Sequence, residues 1–173
     1  MTPPPTPFQP TAPAGTAVTL FVWWILVELQ SLLPLPSIQL SAGWRWGGGA
    51  IFLADALLTI VWSLRILATA TRDGSLATSG PYAFIRHPIY AALLWSGTAG
   101  VAFAASSWLV LLGAAPLSVL WSLVSQADET LLEERFGDTY RAYASTTGQL
   151  FPRLFGLMNR DADNNHDLPA GHD

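Results

Sequence analysis

Arg86, His87, Pro88 and Tyr90 crowd into the stretch SGPYAFIRHPIY, residues 79–90, together with Gly80, Pro81 and Tyr82. These side chains offer a two-pronged donor for a carboxylate or phosphate, an imidazole, and two phenols. Two prolines exclude both a strand interior and a helix interior, so the stretch reads as a rigid, non-repeating loop. Pro88 suits the first turn of a following helix, and it pushes His87 out of the helical region. Arg86, His87 and Tyr90 are thereby displayed at a helix N-terminus, where free amides and the helix dipole favour anions. Two readings fit the loop alone. It is a ligand site, or it is an interfacial anchor whose Tyr and Arg side chains fix the depth of the helix in the headgroups.

Asp128 and Glu129 form the second chemically capable group. Adjacent carboxylates on a helix are commonly just a solvated face. Placed on the same side of a membrane as Arg86 and His87, they give a cationic or hydroxyl-bearing ligand an acidic wall opposite a basic one. Glu28 and Asp55 fall inside apolar runs, where an ionised carboxylate costs ~2.5–3.5 kcal/mol unless paired or wet. Each is a functional candidate; for Asp55 the competing reading is a hydrogen-bonded, structural role. Of the histidines, His166 and His172 lie in a polar tail and cysteine is absent, so no metal site is expected. The glycines of WRWGGG, residues 44–49, follow no strand and cannot form a dinucleotide loop. That segment reads as an outer turn with interfacial tryptophans.

These groups must be positioned by elements that live in lipid. Of the 173 residues, 51% are hydrophobic and only 12% are charged, against roughly 25% charged in soluble domains. Apolar runs cover about 17–33, 50–70, 89–105 and 108–124, each near the ~20 residues that cross a bilayer as a helix. The net charge of −4, with no lysine, leaves no basic patch for nucleic acid. With the N-terminus in the cytoplasm, Arg72, Arg86, Arg135, Arg141, Arg153 and Arg160 face inward and only Arg45 faces outward. That bias follows the positive-inside rule, and Arg65 can snorkel to the same side. Arginine use without lysine points to a GC-rich bacterial genome, hence a multi-pass bacterial inner-membrane protein with both termini cytoplasmic.

The stretch 128–143 is expected to continue the fourth span as a helix, with Leu131, Leu132, Phe136, Tyr140 and Tyr143 on one face. GQLFPRLFGLM, residues 148–158, is expected to lie among the lipid headgroups. The proline-rich 1–15 reads as a disordered leader, 16–158 as the membrane domain, and 159–173 as a disordered polar tail.

LATSGPYAFIRHPIY at 76–90, then DETLLEERFGDTYRAY at 128–143 and FPR at 151–153, resemble a membrane methyltransferase superfamily. It includes the isoprenylcysteine carboxyl methyltransferases and the phospholipid N-methyltransferases. The shared pattern is Gly-x-Tyr, Arg-His-Pro-x-Tyr, a helical hairpin, an acidic pair, and Phe-Gly-x-x-Tyr-x-x-Tyr. The resemblance implies an all-α integral membrane fold of about four transmembrane helices. Its cytoplasmic cofactor pocket lies between the loop before the third span and the helix after the fourth. It implies S-adenosyl-L-methionine as methyl donor, held by Gly74, Ser75, Leu76, Ala77, Tyr82, Arg86, His87, Pro88, Tyr90, Asp128 and Glu129. The acceptor is then lipidic or lipidated, and no catalytic base is assigned. Two positions depart from the prenylcysteine enzymes. Val124 stands where they carry a substrate-binding arginine, and Gly74 where they often carry a polar residue. The alternative is a non-catalytic membrane protein whose loop binds headgroups or a partner.

Overall fold

An apolar run in lipid can satisfy its own backbone only by coiling into a helix. The computed structural model describes residues 12–153, and four of its helical stretches are long and apolar enough to cross a membrane. The first is α1, Ala12–Leu32. The second opens with a π-helical turn, Trp44–Gly48, and continues as α2, Gly49–Arg72. The third joins α3, Pro88–Ala92, through a π-helical turn at Leu93–Gly97 to α4, Thr98–Ala105. The fourth is a short α5, Trp108–Leu112, followed by the long α6, Ala114–Phe136. A final helix, α7, covers Asp138–Thr146. No strand occurs among the described residues, only a single parallel bridge between Ile85 and Gly148.

Three local expectations are corrected. WRWGGG is not a turn: its residues are already helical, and Arg45 Nε donates to the Ala104 carbonyl at 2.7 Å, tying the start of the second span to the end of the third. The helix carrying Asp128 and Glu129 does continue the fourth span, but only to Phe136. Gly137 then takes φ +53°, which favours glycine, and α7 departs in a new direction. The segment after α7 does not lie flat at the headgroups as far as it is described. It turns back into the bundle, burying Leu150 in the core and setting Phe151 against Trp95. The leader expected over 1–15 and the tail expected over 159–173 lie outside the described residues, except that Ala12–Gly15 already belong to α1.

The third span is the hub, with 56% of its 18 residues buried against 11% of an apolar 18-residue stretch of the second span and 17% of one in the first. Small residues let its neighbours approach. Gly49 of α2 sits over the Gly100 carbonyl, where a Cβ would lie 3.2 Å from that oxygen. Trp23 of α1 crosses to Thr98, its indole N–H donating to the hydroxyl at 3.1 Å in a buried setting. Val at position 98 keeps the shape but strands that N–H. Thr98→Val is therefore expected to cost about 1–2 kcal/mol, read as a lower unfolding temperature in detergent with the helical signal retained.

Candidate functional site

The loop between the second and third spans is built by its punctuation. Asp73 and Gly74, the latter at φ +65°, close α2, and the Ser75 amide returns to the Ala70 carbonyl at 2.9 Å. Gly80, at φ +59°, leads a single 3₁₀ turn, Gly80–Ala83, with Pro81 inside it. The chain then runs extended past Ile85, where the segment after α7 pairs with it. Arg86 N–H donates to Gly148 O at 2.8 Å and His87 N–H to Gln149 O at 3.2 Å. Pro88 opens α3 as the residue types require.

Two networks hold the loop against α6. In the first, His87 stacks on Tyr90 with centroids 5.3 Å apart, and Tyr90 stacks on Trp121 of α6 at 4.3 Å. Trp121 in turn donates from its indole to Thr19 of α1 at 3.0 Å, and the Tyr90 hydroxyl donates to the Asp128 carboxylate. In the second, Glu129 accepts from Arg86 Nε at 2.9 Å and lies 3.1 Å from His87 Nε2. Arg86 Nη1 donates to the carbonyls of Ala144 and Thr147 at 3.1 and 2.5 Å. The guanidinium thus pins α6, α7 and the returning segment at once, rather than standing free at the helix N-terminus. Tyr143 completes the clasp by donating to the Tyr82 carbonyl at 2.7 Å.

Between the loop and α6–α7 lies a cavity. Nine of the residues named from the sequence line it: Ser75, Leu76, Ala77, Tyr82, Arg86, His87, Pro88, Tyr90 and Asp128. Gly74 does not, serving instead as the left-handed closure of α2. Glu129 faces a second, wider and more polar cavity, which shares Arg86 and Tyr140 with the first. Tyr82, His87 and Tyr90 are buried within the protein, so these side chains are not displayed outward to headgroups as an anchor would need.

The structure adds lining residues beyond those assigned to the site from the sequence. Leu132, Phe136, Tyr140 and Tyr143 had the spacing of an apolar helix face, and that face is turned onto the cavity. Leu67 and Thr71 come from the last turns of α2, and Arg135 and Ile89 also contribute. Nothing in their local sequence separates these four from ordinary span-end residues. Burial pushes the phenols of Tyr82 and Tyr140 up, and that of Tyr143 up to about 12, so all three remain neutral O–H donors at ordinary pH. Asp55 is outside this site. It accepts from Ser96 Oγ at 2.6 Å, joining α2 to the π-helical turn of the third span. Glu28 lies exposed on α1.

Fold and site together define a multi-pass, all-helical membrane protein whose interhelical cavity has a carboxylate wall, a cationic wall and a ring of aromatic faces. Residues 50–133, just under half of the chain, match the model of the isoprenylcysteine carboxyl methyltransferase (ICMT) family, and that match supports the superfamily resemblance carried by the motifs. The match supports methyl transfer to a membrane-associated acceptor as the general class of activity. No curated protein and no solved structure matches the chain.

Proposed function

We propose that the cavity binds S-adenosyl-L-methionine and that the protein transfers its methyl group to a lipidic or lipidated acceptor. One observation carries this reading: the Arg-His-Pro-x-Tyr loop and the Asp128–Glu129 pair close on each other directly through His87–Glu129 and Tyr90–Asp128, contacts 42 and 38 residues apart in the chain. The residues present suit that donor. Carboxylates at 128 and 129 complement an ammonium and ribose hydroxyls, and the loop backbone at Leu76 and Ala77, which line the cavity, complements adenine edges. The rings of Tyr82, Tyr90, Phe136 and Tyr140 suit a sulfonium, which is attracted to aromatic faces within ~6 Å.

When bound, S-adenosyl-L-methionine supplies a methyl group activated by its positively charged sulfur. The protein's own part is alignment and dryness. The stacked column of His87, Tyr90 and Trp121 fixes the cavity wall, while Leu67, Leu132 and Phe136 keep that end of it apolar. Holding nucleophile and electrophile in line can supply up to ~7–11 kcal/mol of the barrier reduction. No residue is assigned as general base, because His87 Nε2 is engaged with Glu129. The arginine distribution orients the cavity toward the cytoplasm, with the acceptor reaching it sideways from the bilayer.

Calorimetric titration of the detergent-purified protein with S-adenosylhomocysteine tests the reading. Saturable binding that His87→Ala abolishes supports it. Absence of binding across several detergents and lipid mixtures overturns it and returns the loop to a headgroup- or partner-binding role.

A further inference from the structure

The proton of the Tyr140 hydroxyl finds no acceptor although the residue is only 3% exposed, while the Arg86 guanidinium sits close enough to donate toward its oxygen. A buried hydroxyl left unpaired costs ~1–3 kcal/mol, and nearly all such groups in folded proteins are paired. The groups near enough to act on it electrostatically are Arg86, Glu129 and Tyr143. A guanidinium has only donors, so Arg86 can approach the phenol oxygen but can never accept its proton. Glu129 is occupied by Arg86 and His87. The Tyr143 hydroxyl, the other polar group on the same helix face, is turned to the Tyr82 carbonyl.

Position makes the missing acceptor informative. Tyr140 is shared by both cavities, as is Arg86, so the residue stands in the partition between the inner, aromatic space and the outer, polar one. α7 is clasped at this spot from several sides, by Arg86 to Ala144 and Thr147 and by Tyr143 to the loop. The phenol cannot swing away without undoing that clasp. A neutral donor beside a guanidinium, with no acceptor of its own, matches an incoming oxyanion.

We propose that Tyr140 is a ligand-contacting residue whose hydroxyl donates to a carboxylate seated at the partition between the two cavities. This rests on the methyltransferase reading and extends it, since that carboxylate comes either from the amino-acid end of the methyl donor or from the acceptor.

Tyr140→Phe tests it, because it removes only the hydroxyl. Without ligand the variant should unfold at the same temperature as the parent or slightly higher, the stranded group having gone. A clear fall means that water or protein already satisfies the hydroxyl, and overturns the proposal. The variant should bind one carboxylate ligand about tenfold more weakly. Weakened S-adenosylhomocysteine with unchanged 5′-methylthioadenosine, which lacks the amino-acid end, assigns the donor's carboxylate. Weakened binding of an S-prenylated cysteine, with its methyl ester unaffected, assigns the acceptor's. Parent-like affinity for all four ligands overturns the proposal while leaving the methyltransferase reading intact. Failure of the parent protein to bind S-adenosylhomocysteine sinks that reading separately, and the prenylcysteine pair still decides the role of the hydroxyl.

Discussion

Glu129→Ala is expected to remove cofactor binding, with S-adenosylhomocysteine affinity falling at least a hundredfold and methyl transfer lost. Glu129 accepts from Arg86 and contacts His87, so its loss acts twice. It deletes the carboxylate we assign to the donor, and it frees the guanidinium that also holds Ala144 and Thr147. Removing one partner of a buried ion pair costs about 3–5 kcal/mol. Here the side chains are 11% and 20% exposed, so the stability loss belongs near or below the lower end of that range. Glu129→Gln separates the two contributions, since the amide oxygen can still accept from Arg86 while the charge is gone. If the carboxylate acts only on the fold, the amide variant binds like the parent protein. If it meets the ligand's cationic end, the amide variant stays folded and still loses at least tenfold. Parent-like binding by the alanine variant would remove Glu129 from the site altogether.

Gly148→Ala should be the most damaging methyl group that can be added to the molecule. A Cβ there would lie 1.7 Å from the Phe151 carbonyl oxygen, a backbone atom that cannot swing aside. The turn from Gly148 to Phe151 must open. With it go the hydrogen bonds that Gly148 and Gln149 accept from the Arg86 and His87 amides, and the burial of Leu150. Stranded amides and one exposed leucine together amount to roughly 3 kcal/mol or more. The effect should reach the cavity, because the same amides set the direction of Arg86 and His87. We therefore expect a markedly lower unfolding temperature and at least a tenfold loss of cofactor affinity. Gly43→Ala is the control: nothing lies within 4 Å of a Cβ built there, and no change is expected. A Gly148→Ala protein as stable as this control would show that the returning segment does not hold the loop.

Much of this arrangement is written locally. Four long apolar runs give four spans, and Pro81, Pro88, Gly74 and Gly80 give the loop its corners. Arg86, His87, Tyr90, Asp128 and Glu129 are marked by type and spacing, and the structure brings them into contact. Other features were silent because they depend on direction rather than composition. Gly137 looks like any glycine within a helical pattern, yet it turns α7 so that Tyr140 and Tyr143 face the loop. The segment 148–153 has the composition of a headgroup-lying stretch. Only the bundle shows a gap that Leu150 fills. The sequence displays Arg86 at a helix N-terminus, and its capture by the Ala144 and Thr147 carbonyls requires knowing where α7 ends.

The unequal burial of the spans has a consequence for how the protein is made. The third span is both the least apolar of the four and the most enclosed, carrying Ser96, Gly97, Thr98 and Gly100. A helix leaving the insertion machinery meets lipid before it meets its neighbours, and polar or small residues weaken its partition into the bilayer. The second and fourth spans, richer in apolar residues and largely facing lipid, can settle by themselves. The third is admitted to the membrane in their company, with Trp23 already available to receive Thr98 and Gly49 to receive Gly100. The loop carrying Arg86 and His87, fixed to the leading end of that span, is therefore among the last parts of the molecule to mature.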